Sequence, residues 1–293
     1  MRCLLLAGTL AALPVAHTLS AQTHPVTIRF GGAVNGEPLY CGTQYSGVGA
    51  SDSQITPIDF RFYVHDIRLV DARGDEHRVD LEQNAKWQIE RIVLLDFEDA
   101  SGSCSNGTPE TNFEARGTVD SPGPWHGVRF YLGVPFNRNH TDPTRMPAPL
   151  NLTALAWPWN AGRKFARLDF SSSGLERGFA VHLGSTGCTP NDTKVTAPTS
   201  CASPNRPEVE LLGFDPASDT VIADLGWLLK GSNLDENAPD TASGCMSSPM
   251  DPDCAPLFAN LGLAFKDQPA RGQRFFRLVR GSAPIVPSGA SAE

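Results

Sequence analysis

The chain has 293 residues, of which 40% are hydrophobic and 19% charged, enough for one large domain or two small ones with a genuine core. Its formal net charge is −8 at pH 7. An acidic chain without basic blocks argues against nucleic acid and against anionic membrane surfaces as partners. The 27 glycines and 24 prolines suit short strands joined by many turns.

The N-terminus has the pattern of a secretory signal over residues 1–21. Arg2 precedes an apolar run over residues 4–15, and small residues follow at 19–21 as a cleavage site. No later run approaches the ~18 apolar residues that a membrane span needs. These features predict an exported protein that is not membrane-embedded, with one domain over residues 22–280 and a disordered tail over residues 281–293.

Without Cys3, which lies in the predicted signal, the chain keeps an even number of cysteines. An even count in an oxidising compartment predicts three disulfides. Thiolate metal binding is the alternative, and the lack of any C-x2-C pair weakens it. Nearness in sequence favours the first two of the following pairs and leaves the third: Cys188–Cys201, Cys245–Cys254 and Cys41–Cys104.

Apolar runs, several with clean alternation, predict strands along the whole chain. A short helix is predicted at 256–263, and loops at 31–56, 104–117, 135–150 and 231–253. Many short strands between turns predict an all-β protein, a single β-sandwich-like domain with long, disulfide-tied loops. The predicted strands cover residues 26–30, 59–70, 87–97, 128–134, 164–170, 179–183, 209–214, 220–229 and 274–279.

The strand over residues 59–70 has a fault in its alternation at His65 and Asp66. The apolar residues share one face up to Val64 and the other face from Ile67 onward. A β-bulge explains such a switch, and bulges often redirect a side chain beside a site. His65 is therefore a candidate ligand, with a hydrogen-bonded surface histidine as the alternative.

Two of the five tryptophans, Trp157 and Trp159, flank Pro158. Residues two apart in an extended segment project to the same side, so the two rings can form one aromatic surface. Proline removes a backbone donor, which predicts an edge strand or a rigid loop here. A pair of core or lid tryptophans is the alternative to a functional surface.

Histidines and loop methionines supply possible metal ligands. Imidazole accepts copper, and thioether sulfur selects Cu(I). His182 ends a predicted strand just before a Gly-rich turn, and His140 lies in the irregular stretch 135–150. Methionine usually fills cores, and a lid role is the alternative to ligation for those in loops. All three methionines after the signal lie in predicted loops: Met146, Met246 and Met250.

Several short segments, taken in order, resemble the MbnP family of periplasmic copper-binding proteins, first named from methanobactin operons. The family is also described as the four-cysteine half of a "metallo-mystery pair". The resemblance runs from about Val26 to Val279. The six cysteines after the predicted signal are two more than the four in the family description, so one disulfide would be particular to this chain. The segments cover residues 132–140, 157–159, 164–169, 181–188, 244–247 and 253–256.

The resemblance implies a periplasmic, non-enzymatic protein of copper homeostasis that binds one Cu(I). It implies that Trp157 is oxidised to kynurenine by a dihaem MauG/cytochrome c peroxidase-like (MbnH-like) partner, with Trp159 packed beside it. Indole N–H is only a donor, whereas ring opening yields a nitrogen and a ketone with lone pairs. The implied site is completed by the thioether of Met246 and the imidazole of one histidine. His182 is the preferred histidine, followed by His140 and then His65.

Two rival functions stay open on the sequence. A secreted β-sandwich module for carbohydrate or protein binding would use Trp157 and Trp159 as a stacking platform. An exported hydrolase would use carboxylates such as Asp96, Glu98 and Asp99.

Overall fold

A computed structural model describes residues 22–157, 162–189 and 197–281. The predicted signal over 1–21, the predicted tail from 282 onward and Trp159 lie outside the described residues, and the proposed domain limits stay predictions. Within the described ranges, no helix is both long and apolar enough to cross a membrane.

The described residues form short helices and many strands. The helices are α1 (Phe136–Asn139), α2 (Leu225–Leu228) and α3 (Cys254–Leu261), with 3-10 turns at Pro143–Arg145 and Thr153–Leu155. The strands are β1 (His24–Val34), β2 (Glu37–Pro38), β3 (Tyr45–Val48), β4 (Ser53–Asp71), β5 (Glu76–Arg78), β6 (Asp80–Leu81), β7 (Gln88–Ile89), β8 (Ile92–Asp96), β9 (Glu114–Val119), β10 (Trp125–Leu132), β11 (Ala156–Trp157), β12 (Gly162–Arg163), β13 (Ala166–Ser172), β14 (Phe179–Leu183), β15 (Thr186–Thr189), β16 (Ser200–Ser203), β17 (Glu208–Leu212), β18 (Thr220–Asp224), β19 (Gly244–Cys245) and β20 (Phe276–Val279).

Two large sheets carry the fold. The first runs β20-β18-β1-β9-β6, with β2 on β1. The second runs β17-β10-β4-β13-β14-β19, with β3, β5 and β8 also on β4 and β7 on β8. Neighbours are antiparallel except β1 with β18 and β14 with β19. The 19-residue β4 is therefore the central strand of the second sheet.

Aromatic side chains join the two sheets in one apolar core. Phe30 of the first sheet meets Phe130 of the second with ring centroids 5.7 Å apart. Phe62 of β4 meets Phe276 of β20 at 5.6 Å. Edge-to-face contacts of this kind add to the hydrophobic gain of burial. The predicted all-β, sandwich-like fold is confirmed.

The bulge predicted in β4 is present. The register between β4 and β10 shifts between Arg129 and Tyr131, and Asp66 has a positive φ of 53°. Two residues of β4 thus oppose one of β10, which keeps the apolar residues on both sides of the bulge in the core. As a result, the outer face of β4 carries Arg61 and His65.

All three predicted disulfides are present, so the loops are tied as expected. Cys41–Cys104 joins two long loops, and Cys188–Cys201 links β15 to β16. Cys245–Cys254 joins β19 to the first turn of α3.

Some predicted boundaries are wrong for local reasons. The single strand over 87–97 is a hairpin of β7 and β8, because Glu90 turns the chain with a φ of 52°. The strand over 220–229 stops at Asp224, whose side chain caps α2. The predicted loop over 104–117 runs into β9, and the loop over 31–56 contains β2, β3 and the start of β4. Polar residues in these segments interrupt the apolar alternation on which the strand predictions depend.

Candidate metal site

The site forms where β14 ends beside β19. The two strands are parallel, with Val181 opposite Cys245. The residues that directly follow this pair are His182 on β14 and Met246 just after the end of β19. The Ser247 hydroxyl donates to the His182 carbonyl at 2.9 Å and accepts from the Gly184 amide at 3.0 Å. The backbone of Met246 is therefore fixed on one side by the Cys245–Cys254 disulfide and on the other side by the two hydrogen bonds of Ser247.

Trp157 lies over Gly184. Its strand β11 pairs with β12, and its side chain is 5% exposed. A Cβ on Gly184 would stand 2.6 Å from Cη2 of the ring and closer still to Cζ3. Gly184 follows His182 by two residues, just beyond the end of β14 at Leu183. The end of the strand that carries His182 thus has Trp157 packed on Gly184 and Met246 directly after the paired Cys245.

The imidazole of His182 is oriented by Asp169. Its Nε2 lies 2.7 Å from Asp169 Oδ1, so Nε2 carries the proton and Nδ1 keeps the lone pair. Burial opposes ionisation of Asp169, but hydrogen bonding to His182 and the charge of Arg167 hold its pKa below the ordinary value. A carboxylate behind one ring nitrogen is typical of histidines that bind metal through the other.

A row of charged residues supports His182 on the outer face of the second sheet. Arg61, Arg167 and His182 are opposite one another across β4, β13 and β14. Asp59 accepts from Arg61 Nε at 2.8 Å and lies 3.2 Å from Arg167 Nε. Sequence reasoning missed these residues, although charged residues alternating with apolar ones in both strands are a usable signal.

Two carboxylates of the hydrolase alternative, Asp96 and Glu98, lie beside this row of charged residues. Asp96 is opposite Arg61, and Asp96 and Glu98 are 3% and 0% exposed. Burial raises the pKa of Asp96 to about 7, against the opposing charge of Arg61. Both groups are enclosed by protein, a position that suits charge balance around Arg61 better than contact with a substrate.

His140 has the opposite tautomer from His182. Asn139 Oδ1 accepts from the Arg163 amide at 2.7 Å, so its Nδ2 faces His140 Nε2 at 3.1 Å. Nε2 is therefore an acceptor and Nδ1 carries the proton. Nδ1 is buried with no hydrogen-bond partner among the described residues. Burial, helped by Arg206 and Arg163, lowers the pKa of His140.

His65 lies away from the other two candidates. Its Nδ1 is 2.8 Å from the Gly133 carbonyl, its ring stacks on Tyr131, and burial lowers its pKa to about 4. His65 lies two strands from His182 and four residues along β4 from Arg61, the residue in register with His182. The strand spacing and the rise per residue then put the Cα atoms of His65 and His182 roughly 16 Å apart. His65 and His182 are therefore not ligands of one ion.

The methionines differ in exposure. Met246 is half-buried, whereas Met250 is 77% exposed. Met146 is half-buried and packs against the core. Among these three, Met246 is the one that directly follows β19, the strand paired with the end of β14.

The chain resembles MbnP from Methylosinus trichosporium, with a TM-score of 0.77 and 28% sequence identity over 89% of this chain and 100% of that chain. None of the curated proteins compared with the chain matches it. A family model described as MbnP matches residues 23–247, most of the sequence. The chain therefore belongs to the MbnP family.

Proposed function

We propose that this chain is a periplasmic Cu(I)-binding protein of copper homeostasis, with its site at the end of β14. The observation that supports the proposal is that Trp157 packs on Gly184 and Met246 directly follows the Val181–Cys245 pair, both at the end of the strand that carries His182. Imidazole and thioether are ligands that copper accepts, and the thioether favours Cu(I) over harder ions.

Each residue has a distinct role in this proposal. His182 offers Nδ1 to the ion while Asp169 holds the ring through Nε2. Met246 offers its sulfur from a backbone fixed by the Cys245 disulfide and by Ser247. The ring nitrogen of His140 that has no hydrogen-bond partner among the described residues, Nδ1, carries a proton and cannot bind an ion. His65 is too far from His182 to share its ion. Both therefore rank below His182 as ligands.

Trp157 needs chemical modification before it can serve as a ligand, because indole N–H is only a donor. In the proposed maturation, a dihaem MauG/cytochrome c peroxidase-like partner oxidises Trp157 to kynurenine. With peroxide as the oxidant, two oxygen atoms add across the Cγ–Cδ1 bond while two peroxides become water, and hydrolysis then releases Cδ1 as formate. The residue thereby loses one carbon and gains one oxygen, leaving an aniline-type nitrogen and a ketone with lone pairs. Trp159, outside the described residues, would pack beside it. The nearly enclosed ring of Trp157 suits this role better than a stacking platform for sugars.

The test compares Trp157→Phe with Trp159→Phe, each produced together with the dihaem partner. We expect Trp157→Phe to lose high-affinity Cu(I) binding and Trp159→Phe to be weakened less, because only the first ring becomes a ligand. Copper content and the mass of the peptide containing residue 157 are the measurements. Equal copper retention in Trp157→Phe would exclude kynurenine as a ligand.

A further inference from the structure

A buried histidine faces a disulfide next to β12, where a Cβ on Gly162 would stand 3.3 Å from His140 Cε1. We propose that His140, Cys188 and Cys201 form a second, redox-dependent site for a soft metal ion. The site is closed while the disulfide is intact and opens when the disulfide is reduced. It uses none of the three ligands of the proposed copper site and does not depend on oxidation of Trp157.

The geometry already brings the three ligands together. His140 Nε2 lies 3.4 Å from Cys201 Sγ and 3.8 Å from Cys188 Sγ. All three atoms lie within 4.8 Å of one another. The amide of Asn139 makes Nε2 the ring nitrogen with the lone pair, and Nε2 is also the nitrogen near both sulfurs. An ion bound there would replace the hydrogen bond from Asn139. Two thiolates and one imidazole are a donor set for zinc-like and Cu(I) ions.

The local structure allows the disulfide to open without dismantling the core. Cys188 and Cys201 face each other across β15 and β16, which pair with each other in a separate two-stranded sheet. Cys201 is half-buried, so a small reductant can reach its sulfur. In contrast, Cys245 and Cys254 are 2% and 0% exposed within the main core.

The redox step is a thiol–disulfide exchange. A dithiol gives two electrons and two protons to Cys188–Cys201, which becomes two thiols while the reductant becomes a cyclic disulfide. A divalent soft ion then displaces both thiol protons and binds two thiolates and Nε2. Exchange with a disulfide oxidant, which takes the two electrons and becomes two thiolates, joins the sulfurs again and removes two of the three ligands, so it releases the ion.

The experiment uses the mature protein made without any partner, treated with dithiothreitol, freed of reductant and titrated with Cd2+. Alkylation with peptide mapping identifies the opened disulfide, and far-ultraviolet circular dichroism checks the fold. We expect Cys188 and Cys201 to be alkylated in folded protein and Cd2+ to produce thiolate charge-transfer absorption. His140→Gln should weaken Cd2+ binding by about tenfold or more, since one ligand is lost.

The matched control is the double variant Cys188→Ser/Cys201→Ser, which keeps the other two disulfides. It should show no thiolate absorption with Cd2+ after the same treatment. The proposal is overturned if this variant binds Cd2+ like the unaltered protein, or if His140→Gln binds it equally well. It is also overturned if Cys188–Cys201 stays closed until the protein unfolds.

Discussion

At the scale of single residues, hydrogen-bond partners decide which candidate histidine is ready to bind an ion. His182 turns its proton toward Asp169 and keeps a lone pair on Nδ1, whereas the Asn139 amide forces the reverse on His140. Neither tautomer is visible in the sequence, since Asp169 is 13 residues from His182 and acts across a strand pair.

The two methionines of the Cys245–Cys254 loop give a direct test of the thioether ligand. We expect Met246→Ala to weaken Cu(I) binding by about an order of magnitude or more, because a held side chain loses less entropy on binding. Met250→Ala should leave the affinity nearly unchanged, since Met250 is 77% exposed. Competition with a Cu(I) chelator on kynurenine-containing protein measures both. A larger loss in Met250→Ala would transfer the role to Met250.

Gly184 tests the position of the indole. A methyl group at Gly184 overlaps the ring of Trp157, so Gly184→Ala should cost about 1–3 kcal/mol in the free energy of unfolding. We also expect a lower yield of kynurenine, measured by peptide mass after production with the partner. Gly272→Ala is the control, because a Cβ there meets no atom within 4 Å. Equal kynurenine yields in both variants would show that this contact does not position Trp157.

At the scale of elements, the sequence predicted strands best where apolar alternation is strong. The fault at His65 and Asp66 revealed the bulge, and cysteine spacing gave the disulfide pairs. Strands such as β9, which lies between β1 and β6, were missed because polar residues occupy their outer positions. The meeting of β14 with β19 could not be predicted, since β19 has only two residues and its pairing depends on the surrounding fold.

The end of β18 provides a prediction at this scale. Asp224 is fully buried, caps α2 through the Gly226 amide and also accepts from the amides of Asn35 and Gly36. We expect Asp224→Ala to lower the free energy of unfolding by about 3–5 kcal/mol, because several buried donors lose their acceptor. Urea denaturation measures the change.

Asp142→Ala is the matched control for this cap. Asp142 accepts from the Thr144 amide at the start of an exposed 3-10 turn. Its loss should cost about 1 kcal/mol or less. Similar losses in the two variants would contradict the role given to the buried cap.

At the scale of the whole molecule, buried charge links folding to pH. Burial raises the pKa of Asp96 from 3.8 to about 7, so the folded protein holds a proton that the unfolded chain releases. Stability from this group therefore falls as pH rises from about 4 to about 7. His65 acts in the opposite direction, because its folded pKa of about 4 lies below the ordinary 6.5.

Asp96→Asn isolates the effect, since the variant keeps His65 and the acceptor for the Glu98 amide. We expect the stability of the unaltered protein relative to Asp96→Asn to decline by up to about 4 kcal/mol between about pH 4 and pH 7. Urea denaturation at several pH values provides the comparison. A constant difference would mean that Asp96 is ionised throughout the range.

The contact between Trp157 and Gly184 has a consequence for the product of the proposed oxidation. Cζ3 and Cη2 belong to the six-membered ring, and conversion to kynurenine opens only the five-membered ring. The atoms against Gly184 are therefore the same before and after the reaction. The retained benzene ring can stay in place as an anchor while the newly formed amine and ketone are created at the other end. Maturation then requires no repacking of the strand end, and the site is ready for copper once the oxidant departs.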